Sequence, residues 1–290
     1  MTGLMKQTIK QWIYAVPLLK QSLIGLHGIG GRRPWSAGYS FYKYAFIREV
    51  IERGLADFRA DRLPDGYGRG LDDRAVEYPW FFSRLADGAA TILDAGSSLN
   101  HAELLRLPLW ADRRLVIASL GFDMICRNGL CPTYVKEDLR ATSFKDGMFD
   151  AVVSISTVEH IGMDNTFLYT RDIRKKENDR YAYLKAVAEF RRIVRPGGDV
   201  FITVPFGAYR DHGWFQIFDE GMIDRLIEAF GPAGVQETYY RYTGGQWTVT
   251  DRAACRQSRY FDIHREKHLP AGSPAASESV ACLQLTKSGG

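Results

Sequence analysis

From about residue 91 onward, short apolar runs alternate with segments of helical spacing. Short runs rich in β-branched residues are typical of buried strands, and their alternation with helices favours a parallel sheet covered by helices. The spacing predicts helices over 178–194 and 220–229 in this part of the chain. It predicts strands at 91–95, 115–119, 151–155, 200–204, 235–242 and 279–286.

The first third of the chain has helical spacing and no strand-like runs. Ile9, Trp12, Ile13 and Val16 recur on one helical face before Pro17 interrupts the pattern, and a further helix is predicted over 42–53. We therefore expect an N-terminal helical extension or cap over 1–88, followed by an α/β domain over 89–290.

The amphipathic helix at the start of the chain has two interpretations. It can pack on its own domain, or it can lie on a membrane surface with its apolar face in the lipid. The chain has no run of 18 consecutive apolar residues and no small-residue cleavage site. Neither a membrane-spanning helix nor an export signal is therefore expected.

Composition narrows the range of partners and compartments. With 46% hydrophobic and 25% charged residues, the chain is typical of a globular protein. A formal net charge of +4, from 38 Lys and Arg against 34 Asp and Glu, is too small to indicate a nucleic-acid partner. The four cysteines, Cys126, Cys131, Cys255 and Cys282, form no C-x-x-C pair. A cytoplasmic protein with reduced cysteines fits this pattern best.

The most informative segment is the strand that ends in Asp94 and turns through Gly96. A glycine at such a turn lets the backbone approach a ligand, and the helix start that follows offers free amide N–H groups. This geometry suits a nucleoside-like cofactor, although the same turn also occurs as plain structure. The dinucleotide fingerprint G-x-G-x-x-G is absent, because the next three residues are Ser97, Ser98 and Leu99.

Three further segments follow at strand or helix ends. Asp138 and Leu139 come after a third short strand, where an acid can accept a hydrogen bond from an exocyclic amine and a leucine can cover an adenine ring. Glu159 and His160 follow the next strand, and ligands of open α/β sheets bind at the carboxyl ends of strands. Finally, Pro196 ends a helix and two glycines reverse the chain into a strand.

In this order and at these distances, the four segments resemble the class I S-adenosylmethionine-dependent methyltransferases, most closely the branch that modifies small molecules. The resemblance implies an α/β fold with a Rossmann-like, mostly parallel, seven-stranded sheet whose last strand is antiparallel and whose faces are flanked by helices. It also implies S-adenosyl-L-methionine as the cofactor.

The resemblance further implies which residues bind that cofactor. The turn after the first strand would cradle the methionine part, and its residues are Asp94, Ala95, Gly96 and Ser97. The adenine would contact Asp138 and Leu139. Residues beside the sulfonium would be Ser154 and Ser156.

The second strand departs from the family pattern. Ser119 stands where the family usually has an acid that binds the ribose hydroxyls. Asp123 from the next turn, or Asn100, is a candidate replacement.

Methyl transfer is an in-line displacement, so the protein mainly aligns the reactants and removes a proton from a hydroxyl acceptor. His160 is the first candidate base, because an imidazole can accept that proton near neutral pH. His212, which follows the fifth strand, is an equal candidate, while the Glu159–His160 pair can instead simply tether its loop. Metal-binding relatives carry an acid three residues before this pair, and here that residue is Ser156, so no metal is expected.

Two segments suggest how an acceptor is recognised. The basic run between residues 169 and 180 predicts either a lid that binds a phosphate or carboxylate, or a solvated helix face. The aromatic residues Trp35, Tyr39 and Tyr42 can cap a pocket or pack in the core. Together with the 156–165 run, this segment resembles methyltransferases associated with bacterial surface-glycan assembly.

The leading hypothesis is O-methylation of a sugar, a glycan precursor or another small molecule. A non-catalytic scaffold or regulatory subunit that binds the cofactor is the first alternative, because the glycine turn is eroded and the ribose acid is absent. A nicotinamide-dependent oxidoreductase is disfavoured by the missing fingerprint. The sequence is compatible with a homo-oligomer.

Overall fold

A computed structural model describes residues 17–121, 132–170, 172–263, 265–266, 269 and 272–289. The helix expected over residues 9–16 and the candidate ribose ligand Asp123 lie outside these ranges. So do Cys126 and Cys131, whereas Cys255 and Cys282 are buried free thiols.

Ten strands are found in the described part of the chain. They are β1 (Thr91–Ala95), β2 (Arg114–Ser119), β3 (Thr133–Lys136), β4 (Phe149–Ile155), β5 (Val194–Pro205), β6 (Arg210–Asp211), β7 (Gln216–Ile217), β8 (Gly234–Thr243), β9 (Gln246–Thr250) and β10 (Ser279–Thr286). Eight of them form one sheet in the order β3-β2-β1-β4-β5-β10-β8-β9, and β6 pairs with β7 in a separate ribbon.

The sheet has the predicted Rossmann-like arrangement. The five strands from β3 to β5 are parallel, and β10 runs antiparallel between β5 and β8. Because β1 lies between β2 and β4, the chain reverses its direction of strand addition at β1, and the carboxyl ends of β1 and β4 flank the resulting crevice. The α/β fold class is therefore confirmed.

The sheet has eight strands where seven were predicted. The additional strand is β9, which pairs antiparallel with β8. The two strands are joined by Gly244 and Gly245, whose φ angles of 58° and 81° suit a two-residue hairpin turn.

Nine α-helices are found among the described residues. They are α1 (Pro17–Ile29), α2 (Tyr39–Arg53), α3 (Ala56–Arg59), α4 (Arg74–Arg84), α5 (Ala102–Leu105), α6 (Thr166–Tyr169), α7 (Tyr183–Ile193), α8 (Glu220–Phe230) and α9 (Arg252–Cys255). The predicted helices at 42–53, 178–194 and 220–229 correspond to α2, α7 and α8. Helix α7 begins five residues later than predicted, because Asp179 makes a turn in which its carboxylate accepts a hydrogen bond from Tyr181 N.

The hydrophobic core lies on both faces of the sheet. On one face, α4 packs Trp80 and Phe81 edge-on against Phe201 of β5, with ring centroids 5.9 and 5.3 Å apart. On the other face, α7 and α8 bury side chains such as Phe190 and Phe230. The N-terminal helices thus share a hydrophobic cluster with β1, β4 and β5. The division of the chain at residue 88 stays a prediction.

None of the helices in the described ranges combines the length and the hydrophobicity that crossing a bilayer requires. The described part of α1 exposes Leu18, Leu26 and Ile29. Whether this helix lies on a membrane, as one of the two interpretations holds, stays a prediction.

Candidate functional site

A cavity of about 430 Å³ opens at the carboxyl ends of β1, β2 and β4. Each strand contributes through the turn that follows it: Gly96 after β1, Ser119 at the end of β2, and Thr157 and His160 after β4. Residues 161–163, 165–166, 169–170 and 174–177 also line the cavity. Its size suits a small molecule or cofactor, and its position is the one expected for a ligand of this fold.

Gly96 is required by the packing of two turns. Its φ of 126° is a conformation that other residues rarely adopt. A Cβ atom at this position would lie 2.8 Å from Cβ of Thr157 and closer still to Oγ1 of that residue. The turns after β1 and β4 therefore touch directly at the cavity wall, and only a glycine permits this contact.

Asp94 does not line the cavity and instead forms hydrogen bonds with the turn that follows β1. The side chain is fully buried, and its carboxylate accepts hydrogen bonds from Ser98 N (3.1 Å), Ser98 Oγ (2.9 Å) and Leu99 N (2.8 Å). Burial raises the pKa of Asp94 to about 7, and the three hydrogen bonds only partly oppose this shift. The side chain thus fixes the backbone on which Gly96 is presented.

Four other residues predicted to bind the cofactor also lie behind the cavity wall. Ser154 Oγ donates a hydrogen bond to Ala95 O at 3.1 Å, and both residues are fully buried. Asn100 Oδ1 accepts a hydrogen bond from the Tyr134 hydroxyl at 2.8 Å. Ser97, with a φ of 65°, is part of the same turn and does not line the cavity. None of these four residues lines the cavity, and their role in cofactor binding stays a prediction.

Ser156, the last of the predicted sulfonium neighbours, connects the site to the N-terminal helices. Its Oγ donates a hydrogen bond of 2.7 Å to Oε1 of Glu77 in α4. The same oxygen of Glu77 accepts a hydrogen bond from Thr203 Oγ1 at 2.6 Å, and the other oxygen pairs with Arg74. Glu77 is completely buried. Glu77 was not predicted as a site residue, and its only signal in the sequence is an acid within the aromatic helix α4.

Asp138 and Leu139 do line the cavity, as predicted for the adenine end. Asp138 is also held by Arg140, which donates to Oδ1 through Nε (3.0 Å) and to Oδ2 through Nη2 (2.7 Å). The hydrogen bonds from Arg140 lower the pKa of Asp138. Arg140 in turn donates to both carboxylate oxygens of Glu177 at 2.9 and 2.8 Å. We call this network the Asp138–Arg140–Glu177 clasp.

The clasp joins the cavity wall to the predicted lid. Arg174, Lys175 and Lys176 of the basic run line the cavity together with Glu177. Arg174 is nevertheless 86% exposed at its side chain and pairs with Asp172, so the run also has a solvated side. The lid was predicted from the positive charges of the run alone, whereas the residue that attaches the run to Arg140 is Glu177.

His160 lines the cavity, and its protonation is defined by its neighbours. Its Nδ1 lies 2.9 Å from Trp214 O. A carbonyl oxygen only accepts hydrogen bonds, so Nδ1 carries the proton and Nε2 has the lone pair. Burial lowers the pKa of His160 to about 4, and the positive charge of Arg74 acts in the same direction. His160 is therefore neutral at neutral pH and offers one fixed acceptor nitrogen.

His212, the second candidate base, lies outside this cavity. It is 1% exposed, stacks on Phe215 at a centroid distance of 4.3 Å, and has its Nδ1 3.4 Å from Asp262 Oδ2. Burial lowers the pKa of His212 as well, followed by the charge of Arg210. The two histidines were equal candidates in sequence, but only His160 reaches the cavity.

Among the described residues, no three or more His, Cys, Asp or Glu side chains are grouped as a metal site.

Comparisons with known proteins agree with this geometry. The family model described as "Methyltransferase domain" matches residues 123–202, which span the cavity-lining segments from before β3 to within β5. None of the curated proteins matches the chain.

Several solved structures are distantly similar to the chain. A SAM-dependent methyltransferase from Methanosarcina mazei is 14% identical, with 73% of this chain and 99% of that one covered and a TM-score of 0.45. A SAM-dependent methyltransferase from Thermotoga maritima is 12% identical, with 85% and 92% covered and a TM-score of 0.44. An arsenic(III) S-adenosylmethionine methyltransferase from Chlamydomonas reinhardtii is 12% identical, with 84% and 74% covered and a TM-score of 0.42.

A methyltransferase domain thus matches residues 123–202, and the sheet has the Rossmann-like strand order. Both findings indicate a methyltransferase with S-adenosylmethionine as its cofactor.

Proposed function

We propose that this methyltransferase domain transfers the methyl group of S-adenosylmethionine to a hydroxyl of a sugar, a glycan precursor or another small polar molecule. The observation that carries the proposal is the state of His160, which lines the cofactor-sized cavity with its Nε2 unprotonated. A group in this state can accept a proton from a hydroxyl that lies next to it.

The residues at the cavity fit the cofactor. Gly96 lines the cavity where the turns after β1 and β4 touch and would lie beside the methionine part, and Leu139 offers apolar surface for the adenine ring. Ser119 and Asp138 supply polar groups for the ribose and the exocyclic amine, respectively. When bound, S-adenosylmethionine supplies a methyl group that is already activated on a positively charged sulfur.

His160 would then serve the acceptor. Its ring is fixed by the hydrogen bond to Trp214 O and by contact with the Trp214 ring at 5.0 Å, so Nε2 has a defined direction. A hydroxyl oxygen that attacks carbon becomes a strong acid as the bond forms, and a weak base suffices to take its proton. The low pKa of His160 is therefore compatible with this role, and it keeps the base unprotonated before the reaction.

The test is a comparison of His160→Gln with the wild type on a panel of hydroxyl acceptors. S-adenosylhomocysteine formation measures the rate, and calorimetry measures the affinity for S-adenosylhomocysteine. The rate in His160→Gln should fall by at least about 100-fold, which is typical of a lost general base. The affinity should change by less than about threefold, because the wall at Gly96 and Leu139 is intact.

His212→Gln is the matched control, since it removes an imidazole that does not line the cavity. It should keep a rate close to that of the wild type. Unchanged turnover in His160→Gln would refute the base assignment. A wild-type protein that binds the cofactor but forms no product with any acceptor would favour the non-catalytic scaffold instead.

A further inference from the structure

A second cavity, of about 320 Å³, adjoins the lid. One wall is made by Asp164 and Phe167, which precede and form α6, and the other by Asp211 and Trp214 of the β6–β7 ribbon. Lys176 and Glu177 line both cavities. We call this second cavity the outer cleft.

One hydrogen bond joins the two walls of the outer cleft, and another fixes the turn of the ribbon. Asp164 N donates to Gly213 O at 2.9 Å across the cleft, and Gly213 N donates to the Asp211 carboxylate at 2.5 Å within the ribbon wall. The Trp214 ring touches Phe167 edge-on at 5.5 Å and His160 at 5.0 Å. The cleft is thus attached directly to the residue proposed as the base.

The surface of the outer cleft combines aromatic faces with carboxylates. Phe167 is 60% exposed, and Trp214 is half-buried. Solvent-exposed aromatic side chains that adjoin a concave site are typical of binding surfaces. Asp164 and Asp211 flank them, and carboxylates accept hydrogen bonds from hydroxyl groups.

The cations of the outer cleft are paired with carboxylates. Lys176 Nζ lies 3.3 Å from Asp164 Oδ2, and the Arg265 guanidinium lies over Gly213 with its Nε 3.8 Å from Asp262 Oδ2. Glu177, also in the wall, has both oxygens occupied by Arg140. Both cations that line the described cleft thus already pair with a carboxylate, which favours an uncharged, hydroxyl-rich ligand over a nucleotide or another polyanion.

We propose that the outer cleft binds an uncharged sugar ring of the acceptor, with a face of the ring against Trp214 and its hydroxyls on Asp164 and Asp211. A neighbouring part of the same molecule extends past His160 toward the first cavity. This inference rests on the proposed hydroxyl methylation and names the substrate class for it. Aromatic side chains offer a sugar ring a large, rigid contact face.

The test is binding of neutral sugars to the protein loaded with S-adenosylhomocysteine. Saturation-transfer NMR would compare methyl α-mannoside, methyl α-glucoside, methyl β-galactoside and N-acetylglucosamine. At least one should bind the wild type, and Trp214→Ala should weaken it at least tenfold. Trp214→Phe should stay within about threefold of the wild type, because it keeps an aromatic face. Affinity for S-adenosylhomocysteine should be unchanged in both variants.

Further variants distinguish a specific effect on the outer cleft from a general loss of structure. Asp211→Asn and Phe167→Ala should each weaken sugar binding at least threefold, and neither residue contacts His160. Tyr209→Ala is the matched control: it removes an exposed aromatic residue of the same ribbon that does not line the cleft, and binding should be unaffected. The proposal is overturned if no sugar binds the wild type, or if Trp214→Ala binds equally well.

The two proposals fail separately. Sugar binding that depends on Trp214, without methyl transfer to the bound sugar, would refute hydroxyl methylation and leave the cleft in place. Methyl transfer to an acceptor whose KM is the same in wild type and Phe167→Ala would refute the cleft and leave the enzymatic function in place.

Discussion

Asp94 shows how burial sets the behaviour of a single residue at this site. Its pKa of about 7 in the folded protein lies well above the ordinary value of an aspartate. The folded protein therefore holds a proton at Asp94 over a pH range in which the unfolded chain has lost it. The stability that this group contributes is fully present below the ordinary carboxyl pKa and is lost as the pH rises through about 7.

Asp94→Asn tests this linkage. The neutral amide should make the free energy of unfolding fall less steeply between about pH 4 and pH 7, as measured by urea denaturation at several pH values. At low pH the variant should be less stable by about 1–3 kcal/mol, because an amide cannot accept all three hydrogen bonds. Asp57→Asn, at an exposed aspartate, is the control. An unchanged slope in Asp94→Asn would contradict the assignment.

Gly96 is the residue at which a single methyl group has the largest expected effect. Gly96→Ala introduces a Cβ into the Thr157 side chain at a positive φ. Strain and overpacking should reduce the free energy of unfolding by about 2–4 kcal/mol and weaken cofactor binding at least tenfold. Gly88→Ala, where a Cβ meets nothing within 4 Å, should change neither quantity. Equal behaviour of the two variants would exclude the close contact of the turns.

The pH dependence of methyl transfer tests the state of His160. The imidazole acts as a base only when it is unprotonated, and its pKa in the folded protein is about 4. The single-turnover rate should therefore be insensitive to this group above about pH 5 and fall as the pH drops through about 4. If the rate instead fell to half near the ordinary histidine pKa, and only in the protein that contains His160, the imidazole of His160 would not be buried as the structure shows.

At the scale of elements, the lid is attached through the Asp138–Arg140–Glu177 clasp. Glu177→Gln removes one of the two carboxylates that Arg140 joins. We expect S-adenosylhomocysteine to bind about three- to tenfold more weakly and to lose part of its salt dependence, as measured by calorimetry at low and high ionic strength. Glu49→Gln, which breaks an exposed pair with Arg53, should leave the affinity unchanged. Equal affinity of Glu177→Gln and Glu49→Gln for S-adenosylhomocysteine would show that the clasp does not contribute to cofactor binding.

The sequence predicted the elements whose formation depends on local pattern. The predicted bounds of β1 and β10 match the structure, because both are mostly apolar and are buried on the two faces of the sheet. Strand β9 was missed, since its Gln and Thr residues alternate with only two apolar side chains, although the Gly244–Gly245 pair was the available signal.

The candidate site was predictable to the extent that strand ends define it. Gly96, Ser119 and His160 were found because the residue after a parallel strand must lie at the crevice. Ser156 donates a hydrogen bond to Glu77, which lies 79 positions earlier in the chain. No local sequence pattern predicts such a tertiary contact. The same holds for the separation of His160 from His212, which depends on how the β6–β7 ribbon folds back.

At the scale of the whole molecule, Glu77 joins the N-terminal helices to the ends of β4 and β5. It is completely buried, so removal of its charge leaves Arg74 without its partner and two hydroxyls without their acceptor. Glu77→Ala should lower the free energy of unfolding by about 3–5 kcal/mol, measured by chemical denaturation. Glu52→Ala, at an exposed pair with Arg48, should cost less than about 1 kcal/mol. Similar losses in both variants would show that the N-terminal helices are held elsewhere.

The wall that Lys176 and Glu177 share between the two cavities has a consequence for the sequence of binding events. A molecule seated in the outer cleft would contact the same segment that lines the inner compartment and would hinder passage of the nucleoside past it. We therefore expect compulsory-order kinetics, in which the nucleoside enters first and its demethylated product departs last.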